Sequence, residues 1–317
     1  MRSIEFGRSA TIEIGLAFAL ILGLVHPAFA QSPELADVKT WAFQLDGANP
    51  AEIAQSNYDL VVIDYSLGGK GNDDPASPGI LEKLRRTPSG SRRIVLAYFN
   101  IGEAENYRYY WQDGWLTNRP EWLGAENPNW PGNYAVRFWR PEWQSMLFGN
   151  PNAYLDRILT AGFDGVYLDG VDKYDVWQRQ FPSAKADMID LVARVAAYGR
   201  ERRMGFLIVP QNAEELLENP RYVQLIDGIG REELLYGEKE PESRNGKDSI
   251  DDSLEYLRRL RRAGKPVFVV EYIKRRELAS SALRELKELG FVGYIANREL
   301  NTLTSPATDC APQDCSR

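Results

Sequence analysis

Two carboxylates, Asp169 and Asp172, close the stretch Ala161-Gly-Phe-Asp-Gly-Val-Tyr-Leu-Asp-Gly-Val-Asp172. The apolar run Val166-Tyr-Leu168 precedes Asp169, so this acid stands where a buried strand stops and a loop begins. The arrangement recurs along the chain: apolar runs lead into Asp64, Glu103, Asn212, Glu232, Glu271 and Asn297. Any one of these residues could cap a helix or close a turn. Together they suit a single rim. Crowded carboxylates repel, which raises some of their pKa values and sets a protonated acid beside an ionised base. That pair performs glycoside hydrolysis, one carboxyl protonating the leaving oxygen while the other attacks the sugar or activates water. A rim of oxygens also suits Mg²⁺ or Ca²⁺, although no Asp-rich loop spacing accompanies it. A Schiff-base lysine ranks last, because Lys173 and Lys274 fall in loops and no lysine falls in an expected strand.

Other chemistries drop out by composition. The only histidine, His26, lies in an N-terminal segment that reads as an export signal. The remaining chain then has no imidazole for a Ser-His-Asp or Cys-His site or for the usual zinc hydrolase centre. Cys310 and Cys315 sit close together in a polar tail, where a local disulfide is the favoured state in an oxidising compartment. Six of the eight tryptophans (Trp111, Trp115, Trp122, Trp130, Trp139 and Trp143) lie in a segment interrupted by Pro120, Pro128, Pro131 and Pro141. That segment is not one helix. Tryptophan faces pack on the C–H faces of sugars, and two or three of these rings are expected to meet a ligand, with Trp177 as an addition to the same wall. The net charge of −7 argues against nucleic acid as a partner and suits a neutral or cationic substrate.

The elements that must hold these residues follow from periodicity. Residues 1–30 have arginines at positions 2 and 8, an apolar run from Ile14 to Val25 and an Ala28-Phe-Ala30 cleavage site. Cleavage near Ala30 predicts a secreted or periplasmic chain without stable membrane association. Strands are predicted at 41–45, 60–65, 93–100, 166–168, 205–210, 224–230, 266–270 and 293–296. Helices are predicted at 79–86, 145–160, 183–202, 248–262 and 275–289. Residues 237–247 read as a mobile polar stretch and 301–317 as a flexible tail. Alternating strands and helices demand a parallel sheet, and eight units demand closure into a (β/α)8 TIM barrel, a single domain over 31–300. The doubly wound alternative lacks a phosphate-binding glycine loop after its first strand.

Four segments together resemble glycoside hydrolase family 114, the endo-α-1,4-polygalactosaminidases. They are Ala97-Tyr-Phe-Asn-Ile-Gly-Glu-Ala-Glu-Asn-Tyr-Arg-Tyr-Tyr-Trp111, Asn127-Pro-Asn-Trp-Pro-Gly-Asn-Tyr134, Gly165-Val-Tyr-Leu-Asp-Gly-Val-Asp172 and Glu232-Glu-Leu-Leu-Tyr236. The resemblance runs from about Trp41 to Asn297 and implies a (β/α)8 barrel acting on galactosamine-containing polysaccharide. It implies Asp169 and Glu232 as the catalytic pair, with Glu233 as the other possible register. It also places the family's strand-two and strand-three acids on Asp64 and Glu103. The chain departs from the family at strand seven, where Glu271-Tyr272 stands in place of the commoner Asp-Tyr. Substrate contacts are expected from Asp64, Glu103, Tyr107, Arg108, Trp111, Trp130, Asp172, Asn212, Glu271 and Tyr272. Neither metal nor cofactor is expected, and the partner is a polysaccharide, in particular a cationic amino-sugar polymer. A non-catalytic carbohydrate-binding barrel and a carboxylate–metal hydrolase or lyase on another polymer stay open as alternatives.

Overall fold

The computed structural model describes residues 35–68 and 74–304. The chain runs through β1 (Trp41–Gln44), α1 (Pro50–Gln55), β2 (Leu60–Ile63), α2 (Pro78–Leu84) and β3 (Ile94–Asn100). An excursion follows, with β4 (Glu103–Glu105), β5 (Leu123–Glu126) and β6 (Asn133–Val136). Next come α3 (Pro141–Leu147), α4 (Tyr154–Ala161), β7 (Gly165–Asp169), α5 (Tyr174–Trp177), α6 (Ala184–Arg202) and β8 (Leu207–Pro210). The last part holds α7 (Pro220–Leu225), β9 (Ile229–Glu232), α8 (Lys247–Arg262), β10 (Val267–Glu271), α9 (Arg276–Glu288) and β11 (Val292–Ile295). Several helix starts are written in the sequence: Asn49, Ser77 and Asn219 each precede a proline and accept a backbone N–H in the first turn.

Eight of the strands are parallel and form the expected (β/α)8 barrel in two hydrogen-bonded arcs, β1-β2-β3-β7-β8 and β9-β10-β11. Only short links join the arcs. Between β8 and β9 there is a single parallel bridge, Gln211 to Gly230, flanked by Asp227 N–H to Ile208 O at 2.8 Å and Asn212 N–H to Gly230 O at 2.9 Å. Between β11 and β1 the Trp41 indole N–H donates to Val292 O at 2.9 Å. Aromatic rings from several strands fill the interior: Trp41 lies 5.5 Å from Phe268 and 5.9 Å from Tyr294, and Phe43 lies 5.0 Å from Tyr167. Packing of this kind makes the barrel a core and leaves chemistry to its rim. The two matching strand entries keep their helix-ending glycines in the left-handed region, Gly162 at φ 98° and Gly290 at φ 76°.

Five expectations are corrected. The helix expected over 145–160 is two helices, because Gly149 at φ 107° and Pro151 interrupt it. The strand expected over 224–230 starts later. The Asn219-Pro220 signal carries α7 to Leu225, and β9 ends on Glu232 itself. The tryptophan segment contains an unanticipated antiparallel sheet, β4-β6-β5. Residues 237–247 are tied down rather than loose. The Asn245 amide donates to Glu233 O at 2.7 Å and Leu234 O at 3.0 Å, and Arg244 pairs with Glu285 on α9. Residues 301–304 also have partners, since Tyr58 O–H donates to Thr304 O and Thr304 N–H to the Tyr294 hydroxyl at 3.2 Å. The export signal, the rest of the tail and both cysteines lie outside the described residues. Among the described residues no helix is long and apolar enough to cross a membrane.

Candidate active site

Asp169 is the last residue of β7 and pairs in register with Asn100 of β3. Its Oδ1 accepts Gly170 N–H at 2.7 Å, and its Oδ2 accepts the Tyr98 hydroxyl at 2.5 Å. The loops that follow β3 and β7 touch backbone to backbone. A Cβ on Gly102 would stand 2.0 Å from Gly170 O, and Gly170 has φ 72°. Only glycine fits this crossing, which fixes Asp169 against the β3 side. Burial raises the Asp169 pKa, with Asp172 adding to the shift while the Tyr98 bond, the Gly170 N–H and Lys173 pull it down.

Glu232 ends β9, in the shorter of the two arcs. Its Oε2 accepts from the Gln211 amide and, at 3.2 Å, from the Asn212 amide, while its Oε1 accepts the Tyr272 hydroxyl. Asn212 also accepts Glu232 N–H at 3.1 Å, so one side chain holds both ends of the residue. Asn212, Ala213 and Glu233 all adopt the left-handed region, at φ 58°, 53° and 51°. For residues other than glycine this is a costly conformation that clusters at functional sites. Burial and the Asp169 charge push the Glu232 carboxyl up to about 7, against the lowering effect of the Tyr272 and Asn212 bonds. Both carboxyls are deep among protein atoms yet partly exposed at the rim. Glu233 turns elsewhere: its Oε1 pairs with Arg298 Nη1 at 2.9 Å.

Around this pair the other expected residues separate by depth. Asp172 and Lys173 follow β7. The Asp172 side chain is 42% exposed, and Lys173 Nζ lies 3.9 Å from Asp172 and 3.6 Å from Glu103. Burial lowers the Lys173 pKa, but Asp172, Glu103 and Asp169 outweigh it and the ammonium is held above its ordinary value. Glu103 is buried and also accepts from Asn127 at 2.8 Å and Asn133 at 3.4 Å. Tyr272 and Asn212 touch Glu232 directly. Trp130 is 50% exposed at the turn between β5 and β6.

Asp64, Arg108 and Glu271, expected as substrate contacts, are each buried and engaged by other groups of the protein. Arg108 Nη2 lies 2.7 Å from Asp64, and Arg108 Nε lies 2.7 Å from Glu105. Four tyrosine rings (Tyr65, Tyr98, Tyr107 and Tyr154) surround the guanidinium, with centroids 5.2 to 6.0 Å away. Tyr107 donates to Glu105 at 2.7 Å and belongs to the same support. Glu271 accepts Leu235 N–H at 2.7 Å and Tyr236 N–H at 3.2 Å, so it shapes the loop after β9. Trp111 packs 4.9 Å from Tyr134 and 5.2 Å from Trp115, and Trp115, Trp122, Trp143 and Trp177 are buried. Most of the tryptophans therefore build the excursion, and Trp130 is the one left well exposed among those described.

Tyr98, Glu105 and Lys173 were not singled out as site residues from the sequence. Their signal was present, since Tyr98 and Glu105 lie inside the motif Ala97 to Trp111. Tyr98 joins the buried Asp64–Arg108–Glu105 group to Asp169, with its hydroxyl 3.5 Å from Glu105 and 2.5 Å from Asp169. Among the described residues no three His, Cys, Asp or Glu side chains converge as metal ligands.

Comparisons with known proteins agree with this architecture. An uncharacterized protein of Methanocaldococcus jannaschii, MJ1477, is 38% identical over 282 residues, covering 84% of this chain and 78% of that one. An uncharacterized protein of Thermotoga maritima is 40% identical over 241 residues, covering 74% and 70%. The fold is similar to the glycoside hydrolase domain of PelA from Pseudomonas aeruginosa, with a TM-score of 0.64 at 18% identity, covering 84% of this chain and 98% of that one. It is also similar to an Anoxybacillus alpha-amylase, with a TM-score of 0.50 at 9% identity, covering 87% and 76%. Residues 25–311 match the profile of glycoside-hydrolase family GH114, and the chain belongs to that family.

Proposed function

We propose that this glycosidase is an exported, endo-acting enzyme that cleaves α-1,4-linked galactosamine-containing polysaccharide, with Asp169 and Glu232 as its carboxylate pair. The observation that carries the pair is electrostatic: Glu232 is pushed to about 7 beside the Asp169 carboxylate. At neutral pH Glu232 can then hold the proton that the leaving oxygen needs, while Asp169 attacks the sugar or activates water. The substrate reading is supported by the family, by the net charge of −7 and by the exposed acid Asp172 at the rim, all of which suit protonated amines. Incubation with α-1,4-galactosamine oligomers and mass spectrometry of the products tests it. Internal cleavage supports the reading, and intact oligomers overturn it. The rival metal-dependent reading is separated by EDTA: turnover should be unchanged, and a loss restored by Mg²⁺ or Ca²⁺ would favour the rival.

The sign of the pH dependence follows from the same carboxyl. Glu232 is active while protonated, so turnover should fall as pH rises through about 7. Tyr272→Phe removes a bond that favours the ionised form, so the alkaline limb should move to higher pH, by about one unit or less. Glu271 is also raised to about 7, chiefly by burial, but its carboxylate is held by the Leu235 and Tyr236 N–H groups, whereas the Tyr272 hydroxyl donates to Glu232. An unmoved limb in Tyr272→Phe would therefore take the titration away from Glu232. Export is read from residues 1–30, and N-terminal sequencing of the secreted protein should begin at Gln31.

A further inference from the structure

Glu232 is gripped at its main chain as well as at its carboxyl, and the grip runs outward to the helix layer. Arg231 precedes it in β9. The Arg231 Nη1 donates to the Glu232 carbonyl and, at 3.4 Å, to Asn212 Oδ1. The same Asn212 oxygen accepts Glu232 N–H at 3.1 Å. With two donors on its oxygen, the Asn212 amide presents its NH2 to the Glu232 carboxyl, which it meets at 3.2 Å. Behind this contact, Arg231 Nε donates to Glu214 Oε1 at 3.0 Å, and the Ser253 hydroxyl on α8 donates to the same oxygen at 2.6 Å. Glu214 is buried and opens the 3-10 turn Glu214–Glu218, directly after the left-handed residues Asn212 and Ala213. Backbone of that kind persists only where its surroundings over-determine it. The Arg231 side chain itself is 21% exposed, so most of it faces protein rather than the cleft.

We propose that Arg231 is a positioning residue for the acid: it locks the Asn212 amide and the Glu232 main chain, and so fixes how firmly Glu232 holds its proton. The proposal rests on Glu232 as the proton-carrying member of the pair. If the Asn212 amide turned over, its oxygen would face the Glu232 carboxylate and its NH2 would face two donors. Arg231 is one of those donors and makes the reversal costly. In the observed orientation the amide favours the ionised form of Glu232 and helps the proton leave. A planar fork reaches Glu214, Asn212 and the Glu232 carbonyl at once, which a single ammonium does not. An ion pair with Glu214 alone would need no such geometry, and a lysine would serve it as well.

Arg231→Lys keeps the charge beside Glu214 and gives up the fork, so it separates the two roles. Steady-state kinetics on α-1,4-galactosamine oligomers should show kcat lowered about tenfold with KM within about twofold of wild type. The alkaline limb should move to higher pH by about half a unit. Asn212→Gly suits the left-handed backbone there and removes the amide, and adding Arg231→Lys to it should cost little more in kcat. A ¹³C NMR titration of the Glu232 carboxyl, assigned by the signal that Glu232→Gln removes, should show the same upward move without any substrate. Arg231→Gln carries these tests if Arg231→Lys does not fold. A wild-type kcat and limb in Arg231→Lys overturns the proposal and leaves a plain ion pair, as does a double variant whose loss is the full product of the single losses. A wild-type enzyme inactive on every oligomer overturns the polygalactosaminidase reading instead. The NMR titration then decides on Arg231: a raised Glu232 carboxyl supports its role, and an unmoved one overturns it.

Discussion

Asp169→Asn and Glu232→Gln should each lower turnover at least about a hundredfold while leaving the protein folded. Both changes are nearly isosteric and remove only the ability to ionise or to carry a proton. Each amide still finds partners. An asparagine at 169 can accept the Tyr98 hydroxyl on its one oxygen, and a glutamine at 232 can accept from Gln211 and Asn212 on its oxygen while its NH2 donates to the Tyr272 hydroxyl oxygen. Burial disfavours both charges, so removing either one should cost little stability. Combining the two should cost far less than the product of the single effects, because residues that act as a unit are not additive. Steady-state kinetics with circular dichroism on the same samples provide the check. A Glu232→Gln enzyme of near-normal turnover would remove Glu232 from the pair. Glu233 would be a poor replacement, since it is tied to Arg298 and sits one residue past the strand.

The second large effect is on stability. Arg108→Met should destabilise the fold by about 3 to 5 kcal/mol, the usual cost of breaking a buried ion pair from one side. The substitution is apolar and roughly fills the space. Its cost arises from Asp64 and Glu105, which stay buried without their cation. Burial raises the Glu105 pKa, and Arg108 opposes that rise by charge and by hydrogen bond. Without Arg108 the folded-state pKa of Glu105 rises further above its unfolded value. Stability gained from protonation is then present at low pH and lost as pH climbs through the folded pKa. The deficit of the variant should therefore be larger at pH 7 than at pH 5. Urea unfolding at both pH values measures it, and an equal deficit at the two would remove Glu105 from the explanation. Turnover should fall as well, because the Tyr98 that holds Asp169 leans on this group.

Much of this was legible in the chain, for identifiable reasons. Eight apolar runs with polar ends require a parallel barrel, and a barrel puts Asp169 and Glu232 on one rim. The level of each side chain on that rim was not legible. Asp64, Glu103 and Glu271 have the same linear signature as Asp169, but their neighbours bury them. For Asp64 the neighbour is an arginine forty-four positions later in the chain, and for Glu271 it is a pair of backbone amides in a loop. The antiparallel sheet of the excursion has no clear linear signature, because its strands span only three or four residues and are separated by proline-rich turns. Lys173 reads as an ordinary loop lysine until Glu103, the first residue of β4, is placed beside it. Residues whose role depends on the local run were readable, and those whose role depends on a distant partner were not.

The division of the barrel into two arcs bears on how the enzyme meets its substrate. Asp169 belongs to the longer arc and Glu232 to the shorter one, and between them lies the seam closed by one bridge at Gln211. Gln211 and Asn212 reach from the longer arc to hold the Glu232 carboxyl on the shorter one, beside the backbone bonds of the same seam. Their amides therefore tie the position of one reacting group to the arc that carries the other.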